Sequence, residues 1–357
     1  IDRWNACIRQ WLPPNRAFFL LHQWLCTWWE RLGRWHLLVL CADVNGRVIA
    51  LAPLCIQWLH HIGARVIRFL GTGVSDYGDI ALMPHCEVMG GNALLNWLVT
   101  HRCAWDVIDL REVSIESPAL NAIINWWSQH GARAGIMLHI TRSEPCLVLN
   151  LPASYGDLLH GIGRNLRYNL RRRERQLRKR FNIDIGVVHH DAERHEVLEH
   201  MFWLHTRRWR AKWQPGVFAW RTVRDFHRHF TSIALRHGWL ALHYMKLNGR
   251  YVAVHYCFQL DSAVCYYGGG FDTNVSKYSV GTVLMGKAIQ HAIEHGASVF
   301  DFLRGDEPYK LSWGAHPVPN LHVRLYQPRS LRSRIAFAWL RLQDRVTERV
   351  KQWAHGK

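Results

Sequence analysis

Two Asn-Gly steps, Asn45-Gly46 and Asn248-Gly249, each lie between two alternating apolar runs, and this limits what the chain can become. An Asn-Gly turn takes positive φ at both positions and matches the twist of antiparallel strands, so it specifies a hairpin. The first hairpin, 37–42 with 47–56, is followed by a strand at 66–70, a helix at 91–101 and a strand at 106–110. The second, 240–247 with 252–260, is followed by a strand at 264–269, a helix at 282–295 and a strand at 298–303. The same grammar of hairpin, strand, helix, strand therefore occurs twice, without residue-level repetition. Apolar spacing predicts further helices at 17–31, 117–130, 155–180, 193–212 and 222–237. Further strands are expected at 133–140, 146–149, 183–188 and 322–326. Ser117-Pro118 is an N-cap followed by proline at the first helical position. The expected class is α/β (α+β) with mixed central sheets flanked by helices. A length of 357 residues suits two domains, placed at 1–152 and 153–327 with Pro152 at the boundary, plus a C-terminal amphipathic helix in 328–357.

Charge is concentrated. Lys and Arg number 45 against 27 Asp and Glu, a net of +18. Residues 161–180 hold nine basic residues against Glu174 alone, and residues 328–357 hold eight against two. Two local surfaces, not the whole body, are thus expected to attract polyanions: phospholipid head groups, CoA phosphates or nucleic acid. In the tail, Leu331, Ile335, Trp339, Leu342, Val346, Val350 and Trp353 recur at intervals of three and four, an apolar stripe on a basic helix. Such a helix lies in a membrane interface or packs on its own domain or a partner. Nine cysteines without a CxxC pair read as reduced thiols, and neither a secretory signal nor a run of about 18 apolar residues is seen. The expected location is cytoplasmic, peripheral on the inner membrane face.

Two segments carry chemistry. A polar loop at 272–279 runs straight into a helix through Ser279, Val280, Gly281 and Thr282. Free N–H groups at such a helix start suit a pyrophosphate. Downstream, a strand ends in Asp301, Arg304, Asp306, Glu307, Tyr309, Lys310 and Trp313, a density of polar groups that points to a site. His291 and His295 form an HxxEH pattern, but the helix stops at Gly296 and no third ligand is evident, so no metal is expected.

The run from Ser279 through "FDFLRGDEPYKLSWGA" resembles the CelD/BcsL-type acyltransferases of the GNAT superfamily, which are related to FemAB. The segments "FFLLHQWLCTWWERLG", "ADVNGRVIALAPL", "FLGTGVSDYGDI" and "NLRYNLRRRERQL" are similar to that family's opening and central segments, so the resemblance spans most of 10–327. It implies tandem GNAT-like domains and an acyl-CoA co-substrate bound where two strands splay apart. Ser279, Val280, Gly281 and Thr282 would take the pyrophosphate. The superfamily's usual phosphate loop is absent here, with Gly281 retained.

Acyl transfer to an amine needs a base, an electrostatic partner for the carbonyl oxygen and an acid for the thiolate. The catalytic candidates are His255, Glu307, Asp301, Tyr309 and Lys310, and the substrate-binding candidates are Asp76, Tyr77, Tyr267, Arg304 and Trp313. The resemblance implies an N-acyltransferase acting on a lipid long-chain base, as bacterial ceramide-synthase-like members do, or on a cell-surface polysaccharide sugar. The competing readings are an aminoacyl-tRNA-dependent FemAB-like ligase and a non-catalytic binding protein. No aromatic-interleaved RNA module supports nucleic acid.

Overall fold

The computed structural model describes residues 1–211 and 216–355, with side chains described to Val350. Lys212 and the side chain of Trp353 lie outside the described residues. Two contact-defined units result. Unit 1 comprises 1–144 with 319–357, and unit 2 comprises 145–318.

The helices are α1 (Asp2–Trp11), α2 (Pro14–Ala17), α3 (His22–Arg31), α4 (Glu87–Thr100), α5 (Pro118–Trp126), α6 (Tyr155–Gly161), α7 (Arg164–Arg180), α8 (Asp191–Arg210), α9 (Arg221–Arg236), α10 (Val280–Glu294), α11 (Pro308–Leu311) and α12 (Leu331–His355). Unit 1 holds β1 (His36–Val44), β2 (Arg47–Leu59), β3 (Ala64–Phe69), β4 (Ala81–Leu82), β5 (Val107–Ser114), β6 (Met137–Arg142) and β14 (Asn320–Tyr326). Its sheet runs β1-β2-β3-β5-β14-β6, with β4 on β2. Unit 2 holds β7 (Cys146–Asn150), β8 (Ile183–Val187), β9 (Leu240–Leu247), β10 (Arg250–Leu260), β11 (Ala263–Phe271), β12 (Val299–Arg304) and β13 (His316–Val318). Its sheet runs β13-β7-β12-β11-β10-β9-β8.

Each sheet has one parallel pair, β3 with β5 and β11 with β12, bridged by α4 and α10 respectively. All other pairs are antiparallel. The orders β1-β2-β3-β5-β14-β6 and β9-β10-β11-β12-β7-β13 correspond strand for strand. The two halves have therefore exchanged a strand: β7 leaves the first half to pair β12, and β14 leaves the second half to pair β5. The contact-defined units divide before Pro145 and before Pro319, where the sequence reading placed its divisions at Pro152 and 327, because each exchanged strand groups with the sheet that satisfies its backbone groups. The helix expected over 155–180 is likewise two helices, broken at Ile162-Gly163.

Unit 1 packs Leu54, Ile67, Phe69, Ile108, Leu110 and Val323 against α4 and α5. Its opposite face receives Ala336 and Leu340 of α12 on Ala64, Val66 and Val107. Beside them lies a buried ion cluster: Asp109 accepts from Arg324 at 2.6 Å and Arg111 at 2.9 Å, and Arg68 stands 3.4 Å away. Burial alone would raise the Asp109 pKa, but Arg111, Arg68 and Arg324 outweigh it and hold the carboxyl well below its usual range. The stripe read from the tail sequence is not the packed one. Trp339 is half-buried near Ala336 and Leu340, while Leu331, Ile335, Leu342, Val346 and Val350 face solvent.

Candidate active site

In unit 2, β11 and β12 pair only through Ala263–Val299, Val264–Phe300 and Cys265–Asp301, and then part. β11 continues as Tyr266-Tyr267-Gly268-Gly269-Gly270-Phe271. Gly269 and Gly270 of this run are buried, Gly269 under His255 and Tyr266 and Gly270 against Leu204 and His205 of α8, so the missing side chains allow close approach by the protein's own groups. β12 bends away where Leu303 takes φ +57°, and its N–H donates to Asp301 Oδ1 at 2.7 Å. The fully buried Asp301 thus supports the bend.

Strand alternation on β10 turns His255 toward α10. Its Nε2–H donates to the Gly281 carbonyl at 2.9 Å, so Nδ1 carries the lone pair. His255 Nδ1 is buried with no hydrogen-bond partner among the described residues. A methyl group added at Gly269 would lie 2.5 Å from this Nδ1, 2.6 Å from the Tyr266 hydroxyl and 2.8 Å from the Val254 carbonyl oxygen, so these atoms already fill the position a side chain would take. The Tyr266 hydroxyl in turn bonds Tyr309. Burial, aided by Arg208 and opposed by the Gly281 bond, lowers His255 to a pKa of about 4. Burial also pushes Tyr266 and Tyr309 upward, so both phenols stay protonated at neutral pH. Arg208, on α8, stacks over Phe271 at 4.8 Å and acts on all three groups.

The N-terminus of α10 borders a cavity of about 210 Å³ lined by Leu166, Asn169, Arg173, Ser279, Thr282 and Val283, among others. Ser279 begins the helix in the left-handed region, φ +54°, with no side-chain cap. The first-turn N–H groups have no acceptor within their own helix. Helix α7 packs Leu170 and Leu177 inward, and Arg173, whose guanidinium donates to Gln176 at 3.1 Å, is among the residues lining the cavity. The size, the cation and the helix terminus together fit a phosphate-sized anion.

The other expected residues take different places. Val280 is fully buried with Leu177 and Met245, so only its backbone is available. Trp313 is buried among Leu149, Met285 and Phe302 and fills core instead of lining a substrate site. Tyr267 points to the opposite sheet face, 4.8 Å from His227. Glu307 lies 2.8 Å from Lys310, whose buried ammonium also donates to the Arg304 and Gly305 carbonyls at 2.7 and 3.2 Å. Lys310 therefore closes the loop after β12 and faces carbonyls, not a substrate anion. Arg304, half-buried at the strand end, contributes its carbonyl to that clamp. Lys310→Met is expected to destabilise the protein by about 1–3 kcal/mol by orphaning these carbonyls; an unchanged urea midpoint contradicts the clamp.

Asp76 and Tyr77 belong to unit 1, and its corresponding opening is filled by its own chain. β3 and β5 pair only at Val66–Val107 and Ile67–Ile108. Beyond that point the Gly78 N–H donates to the Glu112 carbonyl of β5 at 3.0 Å, and Tyr77, Asp79 and Ile80 are buried. Asp76 accepts from Asn320 through its carbonyl. Segment 76–80 thus plugs the gap. Sequence reasoning missed Tyr266, Gly269 and Arg208, and gave Arg173 only as part of the basic run 161–180. The Gly268-Gly269-Gly270 run was a visible signal for the first two; nothing local marks Arg208.

Residues 164–311 match the family described as acetyltransferase (GNAT) domain, wholly within unit 2. No curated protein matches the sequence. Among solved structures, FemX is 13% identical with a TM-score of 0.64, covering 90% of this chain and 95% of that one. The C-terminal DUF2156 domain named for lysylphosphatidylglycerol synthesis in Agrobacterium fabrum is 11% identical, TM-score 0.53, covering 96% and 94%. L-PGS from Bacillus licheniformis is 11% identical, TM-score 0.50, covering 87% and 93%. At such identities the likeness is one of fold: two mixed sheets, each flanked by helices.

Proposed function

We propose that unit 2 transfers an acyl group from acyl-CoA to an amine, a reading supported by the match of residues 164–311 to the acetyltransferase (GNAT) domain. The observation that carries this reading is the β11–β12 parting beside a buried His255 Nδ1 that has no hydrogen-bond partner among the described residues and meets the Tyr266 hydroxyl over Gly269. The α10 N-terminus and Arg173 would hold the pyrophosphate, and the edge of β11 left unpaired where β12 departs would receive the pantetheine arm. His255 Nδ1 accepts the amine proton as nitrogen bonds the acyl carbon. As the carbon–sulfur bond breaks, the Tyr309–Tyr266 hydroxyl pair supplies the proton to sulfur. Protons balance, one taken from the amine and one given to the thiolate. The CelD/BcsL-like acceptor would be a lipid long-chain base or a cell-surface sugar, reached at the cytoplasmic membrane face.

Calorimetry with CoA, acetyl-CoA and a long-chain acyl-CoA tests the donor. Arg173→Glu is expected to weaken all three at least roughly tenfold, since a charge-assisted phosphate contact is lost and a like charge gained. Absence of binding to every CoA species overturns the reading. A second reading, an aminoacyl-tRNA-dependent ligase, is favoured by the FemX-like fold and the basic helix α7. Binding of tRNA with a steep salt dependence would replace the first reading by the second.

A further inference from the structure

We propose that α12 rests its outer face on an anionic lipid bilayer. A helix packed on a domain ordinarily turns its apolar stripe inward and its polar face to water. Here the inward face is already complete without the stripe. Ser333, Ala336 and Leu340 are fully buried against unit 1. The rotation of the helix about its axis is pinned at two points. Ser333 Oγ donates to the Asp106 carbonyl and accepts the Gln327 N–H, at 2.5 and 2.8 Å. Asp344 forms ion pairs with Arg324 at 2.6 Å and with Arg111 at 3.1 Å. Arg324 is itself buried. At about 100° per residue the two pins share one face.

Leu340 and Leu342 then lie on nearly opposite sides. The outward stripe is Leu331, Ile335, Leu342, Val346 and Val350, which are 68, 47, 52, 52 and 58% exposed. It runs about 28 Å along the helix. Every residue from Arg345 to Val350 is exposed, so this stretch of the helix stands clear of the packed face. By the same angular spacing, Arg334 and Arg345 border one edge of the stripe, Arg332 borders the other, and Arg349 falls within it. All four are exposed, and Glu348 is the one exposed acid between 331 and 350. No helix among the described residues is long and apolar enough to cross a membrane, so the stripe fits the interfacial layer and not the span. A second copy of this chain would set these arginines against the same arginines, whereas an anionic head-group layer neutralises them while the acyl boundary takes the apolar side chains. Charge complementarity thus selects lipid as the occupant.

The test uses the full chain with vesicles of phosphatidylcholine, with or without phosphatidylglycerol, and no acyl donor, so its result is independent of the donor reading. Wild-type protein is expected to float with phosphatidylglycerol vesicles and to be released by salt. Leu342→Ser with Val346→Ser, both on the solvent face, should reduce bound protein at least roughly tenfold with an unchanged circular dichroism spectrum. Arg334→Gln with Arg345→Gln should abolish the preference for phosphatidylglycerol. Failure of wild type to bind overturns the proposal, as does equal binding by the serine variant. A dimer by light scattering that the serine variant splits would also overturn it and assign the face to a second copy.

Discussion

Unit 2 is expected to unfold on mild acidification, losing most of its stability between pH 7 and pH 5. His205, His227 and His243 are lowered to about 3 and His255 to about 4, in every case chiefly by burial. The unfolded chain protonates them near 6.5. A depressed folded pKa means the unfolded state binds protons first, so the stabilising effect of keeping them neutral is full above about pH 6.5. It is lost progressively as pH falls toward the folded values. At pH 5 each histidine contributes a loss of about 2 kcal/mol, and four together are comparable with the whole stability of a domain, about 5–15 kcal/mol. All four are nearly inaccessible, so solvent screening does not dilute the effect. Urea unfolding at pH 7 and pH 5, with hydrogen exchange to locate the loss, checks this. An equal midpoint at both pH values contradicts it. His227→Gln should flatten the slope.

The second large effect concerns turnover. His255→Ala is expected to lower kcat at pH 7 at least roughly tenfold and nearer a hundredfold, as for loss of a general base. Gly269→Ala should give a similar loss by another route, because its methyl would collide with Nδ1, the Tyr266 hydroxyl and the Val254 carbonyl and displace them. Glu307→Ala should also cost roughly tenfold, acting through Lys310 and the loop after β12. Initial rates with a saturating acyl donor decide it: wild-type turnover in both the His255 and Glu307 variants removes the base assignment. In the range pH 6–8 the His255 ionisation adds no limb to the profile, since it remains neutral there.

Much of the fold is legible from local signals. Both Asn-Gly turns take positive φ at Asn45, Gly46, Asn248 and Gly249. Helix α10 begins two residues before its expected start. Ser117 caps α5 by accepting the Ala119 N–H. These features are set within a few residues by turn chemistry, periodicity and capping, so one segment carries all the information. The candidate site was legible only in part. His255 and Gly281 could be named from composition and spacing, yet their contact joins β10 to α10 across 26 residues. Asp301, Trp313 and Lys310 look equally reactive in sequence. The structure buries the first two and turns the third onto backbone carbonyls, because polar and aromatic groups inside a fold are consumed by whichever neighbours packing supplies.

By itself the sequence determined the list of elements, the doubled hairpin–strand–helix–strand grammar and the helix start that suits an anion. Tertiary structure alone decided that β7 and β14 change sheets, that segment 76–80 fills one gap while the other meets His255, and which face of α12 is turned outward. The physical reason is range. Turns and caps are satisfied within a few residues, whereas strand pairing, burial and ion clusters such as Asp109–Arg324 bring together residues hundreds of positions apart.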